Sequence, residues 1–379
     1  MSQTIFAFDP PASLSARIAT PHCVPLQTAA QTAADPIAFA IGWDLARHGV
    51  TPPATLSHQD NPVRQGWSAG RSAFAGRLRV ATPAVHDWLD LRLQAWRIGV
   101  AFEDFQVTPH FLAQIAVTRC PVTGDALTRT VGADDQATIV RLNDGAAFAA
   151  GNLAVLSLRA AQALTQLRLQ ASGAQVVREA LVRAEQANMM AEGDRGPDLS
   201  ASQWRRLALL CSYTTRLPDS TVAALPLSVL PPNRVRVLQP LLALQVVLTL
   251  LFCQNGYART LCDLAARLPA GAARRAFQVF MHTLLARRLS EGAVLSRADA
   301  RAAMLRAWEH PLVGHRWRVF AEALDDATIE PLVRRALKSG SGLAGSIWLD
   351  PDLAIQGWDL EVPEQAPAIR WAGAPRAVH

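Results

Sequence analysis

The residues CPVTGDAL (120–127) and TIVRLNDGAAFAAGNLAVLSLRAAQAL (138–164) interrupt the texture of an otherwise helical chain. Short β-like runs occur at Thr138 to Leu142 and Leu153 to Leu156, with a further piece at Gln114 to Thr118. Turn-forming residues separate them: Cys120 to Gly124, then Asn143-Asp144-Gly145, then Gly151-Asn152. Short apolar runs bounded by Gly, Asn and Asp predict strands. The Ala- and Leu-rich run after Ser157 predicts a helix. The stretch therefore reads as a small β-hairpin followed by a helix.

Outward from it, helical signals prevail. Asp35-Pro36 and Thr82-Pro83 each pair a capping side chain with a proline at the first helical position. Asn61-Pro62 starts another helix, which carries Trp67 and Phe74. Val85, Leu89, Leu93 and Trp96 form an apolar stripe at helical spacing. Downstream, helices are expected at about 157–190, 199–216, 234–254, 256–268, 270–290, 296–309, 311–324 and 327–338, with Pro240 kinking or restarting one of them. The expected fold is mostly α: a multi-helical body with a small embedded ββα module. The divisions are a loosely docked or poorly ordered leader (1–34), N-terminal helices (35–104), the ββα module (105–170), a C-terminal helical domain (171–340) and an irregular tail (341–379).

Half of the 379 residues are apolar and 18% are charged, which excludes a disordered chain. The longest apolar run, Val237 to Cys253, contains Gln239, Pro240 and Gln245, so it reads as a buried core helix and not a membrane span. The N-terminal residues lack the pattern of a signal peptide, and the expectation is a soluble cytoplasmic protein with no membrane partner. Thirty-seven basic residues against 31 acidic ones give a net charge of +6. Such a balance permits a nucleic-acid partner without requiring one, and because all the basic residues but Lys338 are arginine, the bias also fits a GC-rich genome. The five cysteines, at 23, 120, 211, 253 and 262, form no C-x-x-C pair, so neither a disulfide framework nor a four-cysteine zinc site is expected. Phosphate-cradling loops and nucleophile elbows are absent from the sequence.

The 120–164 stretch resembles the HNH, or His-Me finger, endonucleases, in particular the phage and bacterial branch reading S-(V/L)-D-R-(I/V)-(D/N), then G-N-(V/L)-x-V-(I/L)-S-x-R-A. Cys120 falls on the C-P turn. Thr138, Arg141, Leu142 and Asn143 fall on the first part of the pattern, Phe148 on its aromatic position, and Gly151, Asn152, Leu153, Val155, Leu156 and Ser157 on the G-N core, followed by Arg159 and Ala160. The resemblance implies a β-hairpin and helix around one divalent metal, with phosphodiesters as substrate. It also implies that Arg141 and Arg159 contact nucleic-acid phosphates, while Cys120, Thr138, Asn143, Phe148, Gly151, Asn152 and Ser157 maintain the scaffold. The departures fall on the chemistry. Val140 stands where the family has Asp, Ala161 where it has the helix Asn, Leu164 where it has Lys and Ala147 where it has Gly. Valine and alanine cannot ligate a hard cation, and no histidine lies between Cys120 and Leu164 to serve as base.

The expectation is thus a nucleic-acid-associated protein, possessing a nuclease scaffold to which no catalytic residue, metal ligand or cofactor is assigned, and with DNA as partner. A live endonuclease would need Mg²⁺ or Mn²⁺ on a relocated ligand such as Asp134, Asp135 or Asp144. A third reading is a helical scaffold that engages a protein partner through its C-terminal domain. Arg64, Arg71, Arg77 and Arg79 surround Trp67 and Phe74. That segment reads either as a phosphate-binding and base-stacking face or as an amphipathic helix whose aromatics face the core.

Overall fold

A computed structural model describes residues 35–189, 198–254, 256–292, 296–338, 347 and 350–360. Among them are fifteen helices and one two-stranded sheet, so the chain is mostly α. The leader at 1–34 and most of the tail beyond 340 lie outside the described residues.

Four helices precede the sheet: α1 (Pro36–Arg47), α2 (Pro62–Phe74), α3 (Pro83–Ile98) and α4 (Pro109–Ile115). All four start the same way. The side chain of Asp35, Asn61, Thr82 or Thr108 accepts from backbone N–H groups of the first turn, and a proline follows it. This satisfies otherwise orphaned donors where proline contributes none. α1 and α2 cross in backbone contact. A Cβ on Gly42 would stand 1.9 Å from the Val63 carbonyl oxygen, and one on Gly66 would stand 2.0 Å from that of Phe39. Arg92 of α3 is buried, stacked on Trp88 and paired with Asp44 and Asp104.

The hairpin consists of β1 (Ala137–Arg141) and β2 (Leu153–Ser157), antiparallel, with Arg141 opposite Leu153 and Ala137 opposite Ser157. Its faces alternate with the pleat. Ile139, Leu153 and Val155 join the cluster built on α3 and α4, while Val140, Ala154 and Leu156 join the main core. The sheet is packed on both faces, and every residue of β2 is buried. α5 (Leu158–Arg168) leaves β2 directly, capped by Ser157.

The remaining helices are α6 (Ala174–Met189), α7 (Ala201–Thr214), α8 (Asp219–Ala224), α9 (Pro240–Phe252), α10 (Tyr257–Arg267), α11 (Ala272–Ser290), α12 (Arg297–Trp308), α13 (Pro311–Glu322), α14 (Asp326–Lys338) and α15 (Pro351–Ala354). α9 is the axle of this body: every residue from Leu241 to Phe252 is buried. Its polar side chains are used internally. Gln245 donates to the Leu225 carbonyl, and Thr249 Oγ1 accepts from the Trp308 indole at 2.8 Å. Among the described residues, no helix is long and apolar enough to cross a membrane.

Several expected elements differ. The helix expected over 157–190 is two helices, broken where Gly173 takes a left-handed φ of +52° and its N–H donates to Asp144 Oδ1. The helix expected over 234–254 begins only at Pro240, which starts α9 at the first position and does not kink it. The β-like piece at 114–118 instead closes α4 and continues as loop, because Thr108-Pro109 caps a short helix just upstream. Within the tail, the described residue Ile347 bridges Val237.

Candidate functional site

The side chains singled out by sequence converge on the β1–β2 loop and the first turn of α5. Asn152 is the hub and is wholly buried. Its Oδ1 accepts from the Asn143 N–H at 2.7 Å, and its Nδ2 donates to the carbonyls of Asn143 (3.0 Å) and Ala147 (3.1 Å). Asn143 in turn accepts from the Gly145 N–H and donates to the Thr214 carbonyl at 2.9 Å, tying the loop to α7. Gly151 sits at φ +91°, and a Cβ there would come within 2.3 Å of the Arg236 side chain.

At the other end of β2, Cys120 is buried with its sulfur accepting from Ser157 N–H (3.3 Å), Ser157 Oγ (3.4 Å) and Thr123 N–H (3.5 Å). Burial alone would push this thiol up, but the hydrogen bonds from Ser157 and Thr123 outweigh it and hold the group below its ordinary value. The C-P turn is thereby fastened to the cap of α5. Thr138 lies on β1 and bonds back to the Gln136 carbonyl.

Arg141 reaches inward. Its guanidinium donates to the carbonyls of Asp144 (3.0 Å) and Ala146 (2.7 Å) and lies 4.8 Å over the Phe148 ring. Burial lowers its pKa to about 10, with the neighbouring Arg168 adding to the effect and Asp144 opposing it. Arg168 donates to the carbonyls of Arg141 and Leu142. Arg159, half-buried, donates to the Asp198 carbonyl, which joins α5 to the segment before α7.

The expected metal position is apolar. Val140 packs against the main core, Leu164 is buried within it, and Ala161 is buried beside it in α5. The nearby carboxylates are engaged in turns: Asp135 accepts from Thr128 Oγ1, and Asp144 from the Gly173 N–H. Asp134 is exposed, its carbonyl accepting from the Arg159 N–H. Among the described residues no group of three or more His, Cys, Asp or Glu side chains is placed to hold a metal ion. The residues present do not fit the divalent cation that the resemblance implies.

Three further residues complete the site, and the sequence reading did not find them. The Trp358 side chain is fully enclosed, its indole donating to the Ala150 carbonyl at 3.0 Å, while its own carbonyl accepts from the Ala147 N–H. The Arg236 N–H donates to the Gly151 carbonyl, and its guanidinium donates to the carbonyls of Ala354 and Gln356. Glu103 Oε2 accepts from the Ala150 N–H at 3.4 Å. One signal was present: Arg236 lies between Val235 and Val237 in an apolar run, where a charge must be buried and satisfied. Nothing local marks Trp358. Comparison with family models, curated proteins and solved structures finds no match to this chain.

Proposed function

We propose that this chain is a non-catalytic, nucleic-acid-associated protein built on an HNH endonuclease-like hairpin and helix. One observation carries the reading. Of the pattern's scaffold positions, Asn152 bonds across the β1–β2 loop, Ser157 caps α5 and Gly151 leaves the space that the Arg236 side chain fills, while Val140 and Ala161 put apolar side chains where the family has its Asp and its helix Asn. A scaffold kept by hydrogen bonds, with hydrocarbon where a cation needs oxygen donors, retains architecture without hydrolytic chemistry. Arg141 belongs to that architecture in this reading, since both of its hydrogen bonds go to its own loop. The net charge of +6 supports an anionic partner.

The test is a binding titration of the full chain against labelled DNA over a salt series, with Mg²⁺ and Mn²⁺ present or withheld. Binding that weakens with salt and is indifferent to metal supports the proposal. Metal-dependent cutting would overturn it in favour of an endonuclease using Asp134, Asp135 or Asp144. Absence of binding would overturn the nucleic-acid assignment and leave the helical protein-interaction scaffold.

A further inference from the structure

On α2, Arg64, Trp67, Arg71 and Phe74 stand at i, i+3, i+7 and i+10, which places them in one stripe along the helix. The glycines at 66 and 70 occupy the adjoining face and bring α2 against α1, so the stripe runs along the edge of the helix pair. Both arginines lie over the Trp67 ring, at 4.4 and 4.9 Å from its centroid. Trp67 is itself pinned by its indole N–H to the Val50 carbonyl at 2.9 Å. The two guanidiniums are therefore held against a fixed ring, and among the described residues neither makes an ion pair or a hydrogen bond.

Beyond Phe74 the ring system continues into α1. Phe74 meets Trp43 edge-on at 5.1 Å, and Trp43 stacks with Phe39 at 6.5 Å. The chain then runs back past the end of α1 as Arg77-Leu78-Arg79-Val80, exposed throughout, with the Arg79 N–H donating to the Arg47 carbonyl. Leu78 leans on Gly49, and Arg77 and Arg79 on either side of it are exposed. Residues 62–80 carry four arginines and no acidic side chain.

We infer that this strip binds single-stranded nucleic acid, with phosphates on Arg64, Arg71, Arg77 and Arg79 and bases against the edge formed by Phe74 and Trp43. Arginines alone would serve any polyanion. Planar rings half-buried beside them, with an edge open to solvent, match unpaired bases, whose faces a duplex keeps stacked inside. The inference rests on the nucleic-acid reading above and names the surface that reading requires.

The test is fluorescence anisotropy of a short labelled oligothymidylate and of a duplex, titrated with the full chain over a salt series. The expected result is tighter binding of the single strand. The R64Q/R71Q/R77Q/R79Q variant is expected to bind at least ~10-fold more weakly, with a salt slope reduced by about 3, the share of four phosphate contacts. Phe74→Leu, which keeps the packing, is expected to cost about tenfold with the slope unchanged. Arg316→Gln with Arg318→Gln on α13 is the control and is expected to change little. Should the fourfold variant not fold, Arg77→Glu with Arg79→Glu in the exposed segment carries the same test.

Unchanged affinity and slope in the fourfold variant, with the wild type binding, would overturn the site and leave the nucleic-acid reading standing. Preference for the duplex would overturn the single-strand assignment. If the wild type bound neither oligonucleotide, both would fall. If it bound anionic phospholipid vesicles instead, through the same arginines, the strip would be a membrane-surface site.

Discussion

Asn152 gives both amide hydrogens to carbonyls of its own loop and takes one N–H in return, with no water contact. Removing that amide orphans two carbonyls and one N–H in a buried place, at a cost of about 3 kcal/mol. Asn152→Ala is expected to show this loss in urea unfolding, and Asn152→Asp to fare no better, since a carboxylate cannot donate. Gly151 is constrained twice, by φ +91° and by the Arg236 side chain. Gly151→Ala should therefore destabilise by about 2 kcal/mol or more, measured the same way. His48 at the end of α1 follows a different logic. Burial holds its pKa below the ordinary 6.5, outweighing the help of the Val80 backbone and Asp44. The unfolded chain then takes up the proton first, so stability should fall as pH drops below 6.5 and level off below the folded-state pKa. His48→Gln should flatten that part of a stability-against-pH curve; an unchanged curve would exclude His48 as its source.

At the scale of elements, the best-marked feature in the sequence was the pairing of cap and proline. Asp35-Pro36, Asn61-Pro62 and Thr82-Pro83 each start a helix where the reading placed one, because capping and proline are properties of adjacent residues. The strands at 137–141 and 153–157 were legible for a similar reason: turn residues bracket them. What escaped depended on distant partners. Ser172-Gly173 looks like an interruption of the kind a long helix tolerates, yet Asp144 captures the Gly173 N–H and the helix divides there. Thr108-Pro109 carried the same cap signal as the others, but the β-like residues after it masked it. Of the candidate site, the loop-holding residues were legible from their pattern. The enclosure by Trp358, Arg236 and Glu103 was not, because those contacts span tens to hundreds of residues. The α1–α2 crossing offers an element-scale prediction. Gly66→Ala would drive a methyl into the Phe39 carbonyl and separate the helices. A loss of about 3 kcal/mol in stability is expected, read as a lower thermal midpoint.

At the scale of the molecule, two apolar clusters meet at the hairpin strands. One is built on α3, α4 and a sheet face, and the larger on the other sheet face and the body around α9, while a further cluster on α1 to α3 lies apart from the strands. A two-stranded sheet is marginal alone; here it is buried between helices on both sides, so its integrity and that of the body are linked. The charge is spread differently. Residues 256–338 carry fourteen arginines and lysines against eight acidic residues, while residues 62–80 carry four arginines and none. The first is a diffuse positive field over the helical body, suited to attracting a polyanion over a distance. The second is a local strip with aromatic rings, suited to holding one. Salt should therefore weaken binding through both, whereas the α2 substitutions should remove only the local part.

The central claim is that the hairpin and helix persist as a scaffold without their chemistry. The most direct measurement incubates the purified full chain with supercoiled plasmid and single-stranded DNA in excess Mn²⁺, beside a metal-free control, and follows strand integrity while binding is confirmed in the same samples. The account predicts bound, uncut DNA at every metal concentration. Metal-dependent nicking, abolished by substituting Asp134, Asp135 or Asp144, would contradict it.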